Sequence, residues 1–431
     1  MAHKPATSEK FWFTLDNAAK IYPAIISDEF TSVFRLSVVL EQAVRIQPFL
    51  KSVSLAEKRF PYFKVQLKKG FFWYYLEHLP RPFPVEADLN RMCRRFPAKG
   101  LLLRILVAGN RISVECSHIL TDGSGAFEFL KTLLMLYAAE LASETSRSME
   151  HYRLRERVSE EEYEDSYKRY FRQDIPPMVK RSKAFHLPWP LNPSPRFRTM
   201  NAIVPVKTIK KLASDKGVSI NDYLVSVYLF ILQEIYEEQR ASRKWKKSTY
   251  IRVQVPVNLR NIFPSKTMRN FSLFVMPEID LRLGHYTFDE IIKTVHHQIR
   301  LETDEKLINK TISRNVGSEK KIYIKSMPLF LKSLILRMKY YSLGTSQFSG
   351  VVTNMGMAML PPETEKMIRY FVFTAPPPNK MLKVNCGIIS FNDKLIVSFG
   401  NITRSTGFED KFFQYLKEKG VGIVFENQFN A

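Results

Sequence analysis

Few side chains move protons near neutral pH, and of the eight histidines in this 431-residue chain one sits in a setting that could use that property. His118 is followed by Ile119-Leu120-Thr121-Asp122-Gly123, so an imidazole, a carboxylate and a glycine fall in the pattern His-x-x-x-Asp-Gly. An imidazole with an ordinary pKa of about 6.5 can take a proton from a hydroxyl or amine as that group attacks a carbonyl carbon. With 8 His, 13 Asp and 16 Gly in the chain, random placement would give about 0.01 copies of the pattern, taking composition as the reference. The plain structural alternative is a strand-end histidine followed by an Asp-Gly turn. A metal site could use His118 and Asp122 on one helix face, but Gly123 and Gly125 argue against a continuous helix and no third ligand stands nearby, so no metal is expected.

The elements that must position His118 are legible on both sides of it. Arg111 to Ser117 alternates apolar and polar residues, as a half-buried strand does, and Phe127, Leu130, Leu133 and Leu134 recur at helical spacing. His118 therefore ends a strand, and Gly123 and Gly125 turn the backbone into a helix that runs to about Leu141. Upstream, the pattern predicts an aromatic-rich entry segment over residues 8–23, a strand over Val33–Leu40 and a helix from about Glu41 to Arg59. Hairpins follow around Lys69-Gly70 and around Ala108-Gly109-Asn110. Residues 143–183 are charged and weakly patterned, read as a helical excursion. The proline-dense stretch up to Pro195 reads as an extended crossover. Strands are expected at Phe197–Val206, Tyr250–Val257, Phe271–Ile279, 350–356, Tyr370–Thr374, Lys383–Phe391 and Lys394–Phe399. Helices are expected at about 207–216, 221–237, 288–302, much of 305–340, and 410–419. Interleaved strands and helices in both halves predict two α/β subdomains with mixed sheets, over 1–175 and 197–431, joined by a linker at 176–196.

The longest apolar stretch, Tyr223 to Leu232, is far short of the ~20 residues a membrane span needs. Met1-Ala2-His3-Lys4-Pro5 carries no apolar run behind its charge, and Cys93, Cys116 and Cys386 are few and scattered. A reducing, cytoplasmic setting without disulfides is expected. The formal net charge of +23 is concentrated in 240–247 and from Lys310 to Lys339, where Lys320, Lys321, Lys325, Lys332 and Arg337 meet hardly any acid. Such charge attracts a phosphorylated cofactor, an acidic carrier protein or a membrane surface. Zinc-finger spacing and RNA-binding signatures are absent, so nucleic acid is not the expected partner.

Beyond these readings, His118, Asp122 and Gly123 resemble the His-x-x-x-Asp-Gly signature of the CoA-dependent acyltransferase superfamily. That superfamily includes chloramphenicol acetyltransferase, plant alcohol acyltransferases, peptide-synthetase condensation domains and wax ester synthases. Length and element order extend the likeness over nearly the whole chain, and Leu15-Asp16-Asn17-Ala18-Ala19-Lys20-Ile21-Tyr22-Pro23 is similar to the start of bacterial alcohol acetyltransferases. The resemblance implies two chloramphenicol-acetyltransferase-like subdomains with an active-site tunnel at their interface. It also implies a monomer that transfers an acyl group from acyl-CoA, acetyl-CoA above all, directly to a small alcohol, with an acidic acyl carrier protein as the other possible donor. A non-catalytic anion- or lipid-binding protein on the same scaffold is the alternative outside enzymes. In that scheme His118 is the general base, Asp122 forms a structural ion pair, with Arg260 preferred over Arg252 or Arg269 as partner, and Gly123 keeps the backbone close to the cofactor arm. Asn270, Ser272, Thr353 and Asn354 are the candidates for holding the oxyanion or substrate. Two family features are missing: Ser117 stands where condensation domains double the histidine, and the plant Asp-Phe-Gly-Trp-Gly motif is absent.

Other chemistry is less well supported by the residues. Cys116 lies two residues before His118 and on the same strand face, a conceivable nucleophile but an ordinary packing residue. Gly123-Ser124-Gly125 is too short for a nucleophile elbow, and no Walker loop or dinucleotide fingerprint occurs. His296-His297 on a helix read as solvated or packing residues.

Overall fold

Apolar alternation is strongest in the segments that build two sheets. The computed structural model describes residues 11–142, 158–173, 175–176, 181–241 and 248–426. The opening five residues, residues 143–157 of the charged excursion and the basic run at 242–247 lie outside the described residues. One sheet has five strands in the order Ile368–Thr374, Val33–Leu40, Arg111–Ser117, Leu103–Ala108, Val85–Ala87. All pairs are antiparallel except the last. Its strand Val33–Leu40 is buried on both faces. Phe34, Leu36, Val38 and Leu40 enter the first core with helices Ile46–Arg59 and Gly123–Leu141. On the opposite face Arg35 bonds Glu115 at 2.8 Å and Asp88 at 2.7 Å, the paired arrangement a buried charge requires.

The second sheet has eight strands. Ser272–Val275 and Glu278–Asp280 both pair with Tyr250–Asn258, followed by Gly350–Met357, Val384–Phe391, Lys394–Asn401, Arg198–Pro205 and Val424–Phe425. The single strand expected over Phe271–Ile279 is broken at Pro277, which brings no N–H to the ladder. Helix Ile220–Ala241 packs under this sheet with Tyr223, Val227, Leu229 and Ile231 in the second core. A small sheet of Trp12–Thr14, Tyr74–His78 and Val65–Lys69 completes the fold.

Three boundaries differ from the sequence pattern. The helix expected from Glu41 starts at Ile46, because the N–H groups of Glu41 and Val44 are bound to the carbonyls of Met367 and Gly109. The helix expected across much of 305–340 is divided into Glu305–Lys320, Ile322–Ser326 and Leu329–Lys339, the last break falling at Met327-Pro328. Ile368–Thr374 leaves the second half and pairs antiparallel with Val33–Leu40, Phe373 opposite Leu36, so one strand crosses a division of the chain at residue 197. That crossing strand brings the two sheets together. A Cβ on Gly387 would lie 2.4 Å from the Phe373 carbonyl oxygen, closer than any side chain allows. The proline-dense crossover is extended and stays on the second half, with Phe185 N–H on the Tyr250 carbonyl at 2.7 Å and Asn192 N–H on that of Ile402 at 2.9 Å.

Candidate active site

His118 follows directly on the strand Arg111–Ser117, where the N–H groups of Leu120 and Thr121 fold back on the Ser117 carbonyl at 2.8 and 3.3 Å. Its own backbone is held from two sides. The His118 N–H donates to the Ser32 carbonyl at 3.0 Å, and Asn270 Nδ2 donates to the His118 carbonyl at 2.9 Å. The ring lies between Tyr22, stacked at 5.3 Å and 12°, and Phe34 at 4.6 Å. The residue is half-buried, and its buried Nδ1 finds no hydrogen-bond partner among the described residues. Burial pushes the imidazole below its ordinary pKa, while the Asp122 charge pulls it back. The result is a neutral imidazole at pH 7, the form that accepts a proton.

Asp122 caps the helix Gly123–Leu141. One carboxylate oxygen accepts from Gly125 N–H at 3.0 Å, and the other accepts from Phe271 N–H at 2.8 Å and Arg260 Nη1 at 2.9 Å. Arg260 also donates to Asn258 Oδ1 at 3.1 Å and to the carbonyls of Thr267 and Arg269 at 2.9 and 2.5 Å. The side chain that turns the motif into a helix is thus the one that ties it to the second half. Arg252 and Arg269 take other carboxylates: Arg252 pairs with Glu278, and Arg269 lies 3.6 Å from Asp16.

Asn270 has a different role from that of an oxyanion donor. Its amide nitrogen donates to the His118 carbonyl and, at 3.0 Å, to Asp16 Oδ2, which commits both hydrogens. Nothing in the sequence signalled Asp16 arriving from the entry segment. Asp16 itself is sealed from solvent, also accepts Ala19 N–H at 2.8 Å, and is pushed by burial to a pKa of about 6 despite Arg269. Ser272 exchanges backbone bonds with the Tyr167 hydroxyl at 2.9 and 2.6 Å, leaving its half-buried hydroxyl outside those bonds. Thr353 pairs across the sheet with Gly387, the glycine packed on Phe373. Phe373 meets Phe34, and Phe34 meets the His118 ring, so the strand Ile368–Thr374 is the one that approaches the imidazole. Asn354 Oδ1 accepts Gly356 N–H at 2.9 Å and shapes a turn, with its Nδ2 outside that bond.

Beside the motif opens a cleft of 310 Å³ whose walls come from both halves. Ser124, Gly125, Phe127 and Glu128 of the motif helix face Asn258, Arg260, the loop Ser265–Met268, and Met355. A Cβ on Gly123 would sit 2.7 Å from Met355 Sδ, the far end of a flexible side chain. One on Gly125 would sit 2.2 Å from the Met268 carbonyl oxygen and 2.3 Å from Thr121 Oγ1, which itself donates to that carbonyl at 2.5 Å. Gly125, which lines the cleft, is therefore the sterically stringent glycine, and Gly123 lies against Met355, whose side chain also lines it. Of the charged groups there, Arg260 is paired with Asp122 and Lys266 with Glu161 at 3.1 Å, and Glu128 also lines the cleft.

Cys116 is fully buried and its thiol is pushed far up by burial, which removes it as a nucleophile. His296 bonds Asp222 at 2.9 Å. Among the described residues no group of three or more His, Cys, Asp or Glu is arranged to hold a metal.

No protein-family profile matches this sequence, and no curated protein sequence does. Solved structures do match. Trichothecene 15-O-acetyltransferase TRI3 from Fusarium sporotrichioides aligns over 96% of both chains with a TM-score of 0.62 at 10% identity. TRI101 of F. sporotrichioides, complexed with coenzyme A and T-2, aligns over 96% of this chain and 99% of its own, with a TM-score of 0.60 at 11% identity. The first condensation domain of the CDA synthetase aligns over 95% and 96%, at 0.59 and 12%. The chain has their fold. It is a mixed-sheet architecture shared with these three proteins, and the likeness spans nearly the full length of each.

Two groups at the site were not among the sequence candidates. Asp16 anchors Asn270, and Tyr22 stacks on the imidazole; both belong to the Leu15–Pro23 stretch. A carboxylate directly after an apolar residue in an aromatic-rich entry segment was the available signal. Phe34, whose ring touches His118, carries none beyond its place in a strand.

Proposed function

We propose that the protein is an acyl-CoA-dependent O-acyltransferase, with an alcohol acetyltransferase as its specific form and His118 as the general base. The observation that carries this reading is a half-buried imidazole whose backbone is pinned from both halves of the molecule, in the motif that leads into the helix walling a cleft between those halves. Phe127 and Met355 give the cleft an apolar wall for a slender donor arm, and Lys266, exposed at its rim 3.1 Å from Glu161, is the cation nearest to hand for a phosphate. The thioester supplies the activated acyl group. His118 takes the hydroxyl proton of the acceptor as its oxygen forms a bond to the thioester carbon. The tetrahedral oxyanion then collapses, the carbon–sulfur bond breaks, and the leaving thiolate takes the proton back from the imidazolium. The Thr353 and Ser272 hydroxyls and Asn354 Nδ2 are the donors assigned to the oxyanion, each worth ~3 kcal/mol of barrier if aimed at it. Asn270, Asp122 and Arg260 act by position.

The test is free-thiol release from acetyl-, medium- and long-chain CoA against a panel of alcohols and amines. His118→Ala lowers acyl transfer by about 10²–10⁴ with an unchanged unfolding midpoint. A variant that retains full turnover removes the base assignment. A donor delivered on an acidic carrier protein is the second reading, favoured by the net charge of +23. It requires a carrier association that weakens with salt.

A further inference from the structure

Helix Leu329–Lys339 is turned inside out. Lys332 is only 3% exposed; its Nζ donates to the carbonyls of Phe72 and Lys325 at 3.0 and 3.1 Å and lies 4.1 Å above the Trp73 ring. Phe330, Leu334 and Met338, four residues apart along one stripe, are 68%, 57% and 63% exposed. A helix on a solvated surface has the opposite arrangement, with lysine outward and the apolar stripe inward. The surface continues onto two other elements. Ile322 on the preceding helix is 82% exposed, and Phe71 at the tip of the hairpin before Tyr74–His78 is 73% exposed. The Phe71 carbonyl accepts Leu329 N–H at 3.0 Å, which fixes hairpin and helix side by side. Segments some 250 residues apart in sequence thus present apolar side chains on one face, the kind of patch that marks an interface. Lys320, Lys321, Lys325, Arg337 and Lys339 surround it, and no acidic residue occurs between Lys320 and Tyr341.

We infer that this face docks on an anionic lipid membrane. The outward stripe enters the headgroup region, and the surrounding cations meet lipid phosphates. An acidic protein partner would satisfy the cations and leave Phe330, Leu334, Met338 and Phe71 without a match. The contact is peripheral, since no helix among the described residues is long and apolar enough to cross a membrane. The face also leads to the site. Helix Tyr22–Ile25 packs against Leu329–Lys339, the Tyr340 that follows lies 5.8 Å from Phe30 and accepts from Asn379 Nδ2 at 3.3 Å, and Tyr22 stacks on His118. Resting on the transferase reading, the acceptor is a lipophilic alcohol supplied by the membrane.

The experiment is co-sedimentation of the full chain with vesicles of phosphatidylcholine alone or mixed with phosphatidylglycerol, beside thiol release with a short, water-soluble alcohol. The protein binds the mixed vesicles. Phe330→Ser combined with Leu334→Ser and Met338→Ser lowers partitioning at least about tenfold and leaves turnover of the short alcohol unchanged. Lys320→Gln with Lys321→Gln and Lys325→Gln weakens binding to mixed vesicles alone. Sedimentation of the serine variant equal to wild type overturns the proposal. So does a dimer that the serine variant dissolves, or salt-sensitive binding to an acidic carrier without vesicle binding. Turnover without vesicle binding removes the membrane proposal and leaves the transferase reading; vesicle binding without turnover on any alcohol does the reverse, because His118→Ala does not change sedimentation.

Discussion

Removing Arg260 tests whether the motif is held from the second half. Arg260→Ala leaves the Asp122 carboxylate, 7% exposed, with two backbone N–H donors, those of Phe271 and Gly125. Breaking a buried pair by deleting one member costs about 3–5 kcal/mol. The two remaining donors and the helix N-terminus offset part of that, so a loss of about 3 kcal/mol is expected. Asp122→Asn is milder, about 1–2 kcal/mol, because the guanidinium keeps acceptors on Asn258, Thr267 and Arg269 and asparagine still caps a helix. The double variant loses less than the sum, since the second change removes the charge that the first left unpaired. Urea unfolding of the four proteins measures these values, and single-turnover thiol release measures the effect on the imidazole, which about 1 Å of displacement would slow some 10²-fold. An Arg260→Ala protein within about 1 kcal/mol of wild type, or strict additivity in the cycle, refutes the claim that this pair carries the connection.

Three further outcomes follow from the same geometry. Gly125→Ala drives a Cβ into the Met268 carbonyl and is strongly destabilising by thermal unfolding, whereas Gly123→Ala displaces only the Met355 thioether into the cleft. Its unfolding midpoint stays near wild type while KM for acyl-CoA rises, and the reverse order of the two glycines would contradict the packing. Because burial lowers the His118 pKa, the neutral fraction is already high at pH 6.5, so kcat/KM climbs with pH to a plateau whose midpoint lies below the ordinary imidazole value. A midpoint above 7 would mean that the ring is not buried as described. Asp16, raised to about 6, binds a proton in the folded protein over a window where the unfolded chain has released it. Its contribution to stability therefore falls as pH rises from the usual carboxylate range through 6, by about 3 kcal/mol, and Asp16→Asn flattens that slope in pH-dependent urea unfolding.

What could be read from the sequence was local. Strand, turn and helix around His118 follow from alternation, two glycines and a four-residue apolar spacing, all within thirty residues. Contacts made over distance were invisible in the same residues. Nothing in Ile368–Thr374 distinguishes a strand that stays with its own half from one that crosses to Val33–Leu40, because both environments demand the same buried β-branched and aromatic side chains. Asn270 shows the same limit at the level of chemistry. An amide two residues before a strand is equally able to donate to an oxyanion or to a carbonyl, and only the arrival of Asp16 decides which. The outward stripe of Leu329–Lys339 was hidden for a different reason: the sequence pattern places helix across much of 305–340 without fixing the breaks, and the one before Leu329 sets which face is outside.

The arrangement of cations clarifies why the imidazole can remain without a side-chain partner on Nδ1. Arg260 with Asp122 and Arg269 with Asp16 each join a carboxylate of the first half to an arginine of the second, on either side of His118. Asn270 lies between Arg269 and Phe271 and reaches both Asp16 and the His118 carbonyl. The orientation of the ring is thus fixed through its backbone and by Tyr22 and Phe34. A base held this way keeps a low proton affinity at rest, since no carboxylate bonds the ring to stabilise its charged form. Substitutions in the two ion pairs should therefore change kcat by displacing the ring, and Asp122→Asn, which removes a charge that raises the imidazole, should also lower the midpoint, whereas Phe34→Leu, which loosens the burial itself, should raise the midpoint of kcat/KM toward the ordinary imidazole value. A pH midpoint that moves in Arg260→Ala but not in Phe34→Leu would show that electrostatics, and not burial, sets the basicity of His118.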